Sequence, residues 1–145
     1  MYKHILLATD GSQLAKSSTK DAIALAKAIG AKITVITVIK PWHMVAPAEI
    51  MISFPEAEYL KGAKKQAGKI LQETADAAQE AGVACQTRQM INEQPWRIIV
   101  DTAKSDNCDL IVMGSHGRTG LVKLVLGSET QKVLAHSKIS VLVHR

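Results

Sequence analysis

Residues 110–128 read LIVMGSHGRTGLVKLVLGS. The run Leu110 to Met113 is short, apolar and bounded by a turn signal, as a buried strand is. Gly114 follows at once. Glycine after a strand lets backbone N–H groups approach an anion that a Cβ would hold off. Gly114 and Gly117 have two residues between them, and Gly117 and the Gly127-Ser128 pair have nine. The stretch closes at a helix start, where Ser128 and Gln131 fit a capping box. A helix N-terminus adds unpaired N–H donors and the positive end of a dipole. Strand, spaced glycines and helix start together read as a phosphate cradle. No Gly-Lys-Ser/Thr follows the glycines, so this is not a Walker A loop. The glycines are also too far apart for the tight turn of a dinucleotide fingerprint.

Toward the N-terminus the same alternation recurs. His4 to Thr9 is a strand ended by Asp10-Gly11-Ser12. Leu14 to Ile29 has helical apolar spacing, with Ser12 as N-cap and Gly30 as stop. Lys32 to Ile39 is rich in β-branched residues and reads as a strand. Residues 41–55 form a loop too apolar to be a plain linker, and its Trp42, like Trp96, is expected to pack in the core or an interface. Glu56 to Ala81 is a long helix with Ala67, Ile70, Leu71 and Thr74 on one face, stopped by Gly82. Cys85 to Ile91 is a weaker strand, and Pro95 opens a helix reaching Ser105. After the glycine segment come a helix, Ser128 to Ala135, and a strand, Ile139 to His144.

Strands alternating with helices predict a parallel sheet covered on both faces. Ligands of such sheets bind beyond the C-terminal strand ends, where strand order reverses. Asp10 ends the first strand and Gly114 the fourth. As neighbours at that point they would border one crevice. No repeat or compositional break divides the chain, so residues 1–145 are expected to form a single domain.

Composition narrows the function. A chain of 145 residues, 47% hydrophobic, is large and apolar enough for a sizeable core. Only 3% are aromatic, which leaves the core to Ile, Leu, Val and Ala. No apolar run approaches the roughly 18 residues of a membrane span. The apolar opening is too short for a secretory signal, so a cytoplasmic location is expected. Cys85 and Cys108 are then expected to be reduced core thiols. The net charge of +5 suits anionic ligands. Lys61, Lys64, Lys65 and Lys69 read as a solvated face. Nucleic-acid binding would need aromatic platforms or a reading helix among the basic residues, and neither is evident.

Over essentially its whole length the chain resembles the universal stress protein family. His4-Ile5-Leu6-Leu7-Ala8-Thr9-Asp10-Gly11-Ser12 is similar to the family's first strand and turn. The G-x2-G-x9-G-S pattern is similar to the ATP-binding signature of its nucleotide-binding branch. The resemblance implies an α/β fold of the adenine-nucleotide α-hydrolase-like kind, a single open five-stranded parallel sheet in order 3-2-1-4-5 with helices on both faces. It also implies adenine nucleotide binding and homodimers paired through the last strand.

Residue roles follow. A carboxylate at Asp10 can accept hydrogen bonds from ribose or adenine, and it can also cap the turn before the first helix. Thr9, Val38 and Met113 match family positions lining an adenine pocket, although Val38 and Met113 alone read as core. Gly114, Gly117 and Gly127 allow close backbone approach, and the N–H groups from Ser128 through Glu129 to Thr130 face the phosphates. Arg118 or Lys123 would neutralise phosphate charge. Glu129 stands where the resembling proteins have a small or apolar residue. Beside a triphosphate it would repel, unless it turns to solvent or shares a divalent cation. His116 has no evident nucleophile partner, and no catalytic set or protein metal site is assigned.

The expected protein is an ATP-binding or other adenine-nucleotide-binding regulator, with Mg2+ or Mn2+ accompanying the phosphates and an unspecified protein partner downstream. Two alternatives stand beside it: an interaction protein with a vestigial site, and a slow ATPase. A phosphoacceptor receiver needs clustered carboxylates, whereas Asp10 stands alone and Asn92 follows the third strand. At the chain end, the apolar Ile139 to Val143 would be an exposed edge unless it pairs with its two-fold copy.

Overall fold

The first apolar run becomes the central strand, β1 (His4–Ala8), with His4 through Leu7 all buried. The computed structural model of the chain describes residues 1–49, 55–116 and 126–145. After β1 come α1 (Gln13–Ile29), β2 (Lys32–Ile39), the short α2 (Trp42–Val45), α3 (Glu56–Glu80) and β3 (Cys85–Ile91). Then follow α4 (Pro95–Ser105), β4 (Leu110–Gly114), α5 (Ser128–His136) and β5 (Ser140–His144). The five strands form an open sheet in the order β3-β2-β1-β4-β5. Every pairing is parallel, with β1 set between β2 (Leu7 opposite Val35) and β4 (Leu7 opposite Val112).

Because side chains alternate along a strand, each central strand feeds two cores. Ile5, Leu7, Ile33, Val35, Leu110 and Val112 pack with Ala22 and Ala26 of α1 and with Leu71 and Ala78 of α3. On the opposite face Leu6, Ile36, Ile111 and Met113 pack with Ile99 and Ala103 of α4 and Val133 of α5. Alanines on the inner helix faces let the helices lie close to the sheet, which suits a chain so poor in aromatics. Each fully buried Leu or Ile contributes about 1.5–3 kcal/mol over its exposed state.

The expected signals act at most element ends. The Ser12 hydroxyl accepts the Ala15 N–H at 3.2 Å, and Gly30 stops α1 at a left-handed φ of 69°. Gly82, at φ 76°, follows α3. Pro95 begins α4. The last helix, α5, starts at Ser128 as expected, but its N-cap is Gly127, so Ser128 is already helical. Gln131 does not close a capping box; its amide reaches back to the Leu126 carbonyl at 2.6 Å. Residues 41–49 are not all loop, since Trp42 to Val45 make one helical turn whose Trp42 is buried against Tyr59, ring centroids 5.1 Å apart. Lys61, Lys64, Lys65 and Lys69 are exposed on α3, as a solvated face should be.

The N-terminal end of the sheet is held by Asp109, just before β4. Its carboxylate accepts the backbone N–H groups of Lys3 at 2.8 Å and His4 at 3.0 Å. This ties β1 to β4 and so fixes the register of the two strands that frame the crevice at the other end.

Candidate functional site

The sheet order reverses between β1 and β4, and a cleft of about 930 Å³ opens beyond their C-terminal ends. β1 leads into it with Thr9 and Asp10, β2 contributes Val38, and β4 ends in it with Met113 and Gly114. Gly127, Ser128, Glu129 and Thr130, at the start of α5, form the opposite bank. Tyr59, Ala63, Ala67 and Ile70 of α3 line the remaining side. The structure therefore gathers Thr9, Asp10, Val38, Met113, Gly114, Gly127, Ser128, Glu129 and Thr130 around one space. Gly117, Arg118 and Lys123 lie outside the described residues.

The β1 turn is tightly held. The Thr9 carbonyl accepts the Thr37 hydroxyl at 2.9 Å, and the Asp10 carboxylate accepts the Ser12 N–H at 2.9 Å. Asp10 thus caps the turn and borders the cleft at once. On the other side Gly114 is closely packed, and a side chain there would need its neighbours to give. A Cβ there would lie 3.3 Å from the His116 carbonyl oxygen and 3.4 Å from Leu14 Cγ. The Thr130 hydroxyl donates to the Gly114 carbonyl at 3.0 Å, so its side chain braces the strand end. The Gly127 N–H donates to the Ser115 carbonyl at 2.7 Å. Ser115 N–H in turn donates to the carbonyl of His144, the last residue of β5, at 2.7 Å. The two ends of the glycine segment are therefore clamped together and to the edge strand. Within α5 the helical ladder begins at Gln131 N–H, bonded to the Gly127 carbonyl at 3.0 Å. The N–H groups of Ser128 to Thr130 precede it, and they are the donors a helix leaves for a ligand.

Glu129 is the residue whose role the sequence left in conflict. Its carboxylate accepts the backbone N–H of Trp96 at 2.7 Å and lies 3.9 Å from the Lys132 ammonium. Its negative charge thus serves the N-terminus of α4. A signal for this contact was present in the sequence. Pro95 starts α4 after Gln94, a poor cap, and the helix has no capping side chain of its own. Among the described residues no three His, Cys, Asp or Glu side chains gather as a metal site. No helix among them is long and apolar enough to cross a membrane.

Cys108 is buried in the α4 core and Cys85 is half-buried against the other. Burial, reinforced by Asp106 and Asp109, pushes the Cys108 thiol up to about 12, and burial raises Cys85 as well. Neither is a ready nucleophile.

The model of the universal stress protein family matches residues 1–145. The chain belongs to the universal stress protein family. It is 36% identical over 145 residues to the universal stress protein in the QAH/OAS sulfhydrylase 3′ region of Thermus aquaticus, covering 100% of both chains. Among solved structures it is similar to hypothetical protein MJ0577, with a TM-score of 0.85 and 28% identity over 99% of this chain and 96% of that one. It is also similar to a universal stress protein solved in complex with cAMP, with a TM-score of 0.69 and 26% identity over 98% of this chain and 95% of that one. The open parallel sheet in order 3-2-1-4-5 is the fold of these universal stress proteins.

Proposed function

We propose that this chain binds ATP, or another adenine nucleotide, in the cleft between Asp10 and the start of α5, and acts as a regulatory binding protein. One observation carries the reading: Asp10 and the two described ends of the glycine-spaced segment, Gly114 and Gly127, converge on one space at the point where strand order reverses. A cleft of about 930 Å³ is large enough for a nucleotide. Thr9, Asp10, Val38 and Met113 would face the nucleoside. Gly114, Gly117, Arg118, Gly127 and the N–H groups of Ser128, Glu129 and Thr130 would hold the phosphates. The cAMP complex of a similar protein supports an adenine nucleotide as the ligand class. The case for a vestigial site rested on Glu129, and the engagement of that carboxylate by Trp96 weakens it.

No cluster of acidic ligands supports a protein-built metal cage among the described residues, so Mg2+ or Mn2+ would be held chiefly by phosphate oxygens. Regulation would proceed by population shift, limited by the nucleotide's differential affinity for two states of the loop or dimer. The chain would act as one domain in the cytoplasm, dimeric through β5.

Mass spectrometry of small molecules released from purified protein tests the reading, with Gly117→Val in parallel. An adenine nucleotide is expected from the wild type and not from the variant. A wild-type protein that neither carries adenine nucleotide nor takes it up at millimolar concentration would overturn it.

A further inference from the structure

The two banks of the cleft are tied together by a contact outside its lining. Asp21 lies on α1, the helix that begins just after the Asp10 turn. Its Oδ2 is 3.1 Å from Nδ1 of His144, the last residue of β5. Between α1 and β5 lies β4, whose Gly114 stands opposite His144 and packs against Leu14 of α1. His144 also reaches the glycine segment. Its carbonyl accepts the Ser115 N–H at 2.7 Å, and the Ser115 carbonyl accepts the Gly127 N–H at 2.7 Å. A line of contacts therefore runs from α1 through one histidine to both described ends of the glycine segment.

The backbone links of this line do not change with pH. The link from Asp21 to His144 does, because histidine is the side chain that gains its charge between pH 8 and 5. A neutral imidazole offers the carboxylate only a weak dipole, whereas a protonated one makes an ion pair. The His144 side chain is 19% exposed, so water screens the pair mainly from the Asp21 side. Among the described residues Asp21 is the only acid within ion-pair distance of His144. From β4 the imidazole meets the uncharged Gly114. Lys20 and Arg145, next to the two partners in the chain, are exposed. The other titratable ring on this line is His116, whose Nδ1 is 3.0 Å from the Ser115 hydroxyl.

We propose that Asp21 and His144 are positioning residues for the cleft, an electrostatic latch that tightens as pH falls from 8 to 6 and steadies the glycine segment in its ligand-binding arrangement. This rests on the nucleotide reading and adds a control to it: mild acid favours binding. Neither side chain lines the cleft, and no proton passes to the ligand. The latch acts through the backbone of Ser115, which carries the state of the edge strand to Gly127. A ligand that prefers the steadied segment gains affinity by as much as the ion pair stabilises that state.

Two measurements on the full chain test this between pH 6 and 8. Calorimetric titration with ATP compares the wild type, Asp21→Asn and His144→Gln, each checked for an unchanged circular dichroism spectrum. The terminal phosphate of ATP titrates in the same range, so the quantity read is the ratio of affinity at pH 6 to affinity at pH 8, compared between proteins. That ratio is expected to be about threefold higher in the wild type than in either variant, the scale of a partly exposed ion pair. NMR on the ligand-free protein then follows the Ser115 and Gly127 amides beside the His144 and His116 rings. The amides should shift with the midpoint of His144 in the wild type and lose that shift in Asp21→Asn. An equal ratio in all three proteins overturns the latch while the nucleotide reading stands. So do amides that ignore His144, or that follow it equally in Asp21→Asn. A wild type that binds no ATP at either pH overturns the nucleotide reading, and the latch with it.

Discussion

The backbone N–H of Trp96 donates to Glu129 Oε2 at 2.7 Å, so the second residue of α5 caps the beginning of α4. The two helices lie side by side on one face of the sheet, and Trp96 also packs its ring on His136 at the far end of α5, centroids 4.3 Å apart. A charge that would oppose phosphates is committed to helix packing within the wall of the same cleft.

Replacing Glu129 therefore separates stability from ligand affinity. Glu129→Ala removes the acceptor for an α4 N-terminal N–H and is expected to cost about 1–2 kcal/mol in denaturant unfolding. Glu129→Gln keeps an acceptor oxygen and should lose less. ATP affinity, measured by calorimetry, should change less than tenfold in Glu129→Gln. A larger gain would mean that the carboxylate faces the phosphates after all.

How far the sequence led depends on the range of the signals. Strand order and the convergence of Asp10 with Gly114 follow from strand-helix alternation, the turn after β1 and the family likeness, all of which are linear patterns. The cap at Ser12 and the stop at Gly30 are likewise local. Contacts between distant segments left little trace. Trp96 meets Glu129 across 33 positions, and the sequence held only half of the clue, an uncapped Pro95 helix. The start of α5 at Ser128 is legible, but its cap is Gly127 and not Ser128, because either residue can cap and only backbone geometry decides. The sequence offers His116 no evident nucleophile partner, and its orphan nitrogen becomes visible only when its surroundings are packed.

Acid should act on this fold in two stages. His4 is buried with Nε2 2.8 Å from the Thr34 hydroxyl. Desolvation, aided by Lys32, lowers its pKa below the ordinary 6.5. The unfolded chain therefore binds the proton first, so stability is full above about pH 6.5 and falls as pH drops toward the folded value. Asp109 follows. Burial alone would raise its pKa, but the N–H groups of Lys3 and His4 outweigh this and hold it below the ordinary 3.8. Its contribution is present above that value and is lost as the pH falls below it. Urea unfolding from pH 7.5 to 5 should show the first decline, and His4→Gln should flatten it. An identical slope in the variant would assign the decline to other groups.

The two thiols should report different events. Cys108 is 5% exposed with a thiol pushed up to about 12, so labelling by iodoacetamide at pH 8 should require unfolding. Cys85 sits on an edge strand, half-buried, and should label in the folded state, slowed by its raised pKa. Peptide mapping of time-resolved labelling distinguishes them. Denaturant at sub-unfolding concentrations should accelerate Cys108 and hardly change Cys85.

The two sheet edges are unlike, and this decides which one should pair. β3 carries the exposed Met90 and Ile91 at its end, but along its length Gln86, Arg88 and Gln89 are polar and charged groups of the kind that keep an edge solitary. β5 carries Val141, Leu142 and Val143, with Leu142 41% exposed, and among the described residues it pairs only with β4. A two-fold copy would cover those side chains and satisfy the open edge. Light scattering at micromolar concentration should give a dimer mass for the wild type. Leu142→Lys, exposed in the single chain, should give a monomer with an unchanged circular dichroism spectrum. The same strand ends at His144, whose carbonyl holds the Ser115 N–H at the mouth of the cleft. Dissociation should therefore also loosen the glycine segment, and the monomeric variant should bind ATP more weakly than the dimer. Unchanged affinity in a proven monomer would show that the edge and the cleft are independent.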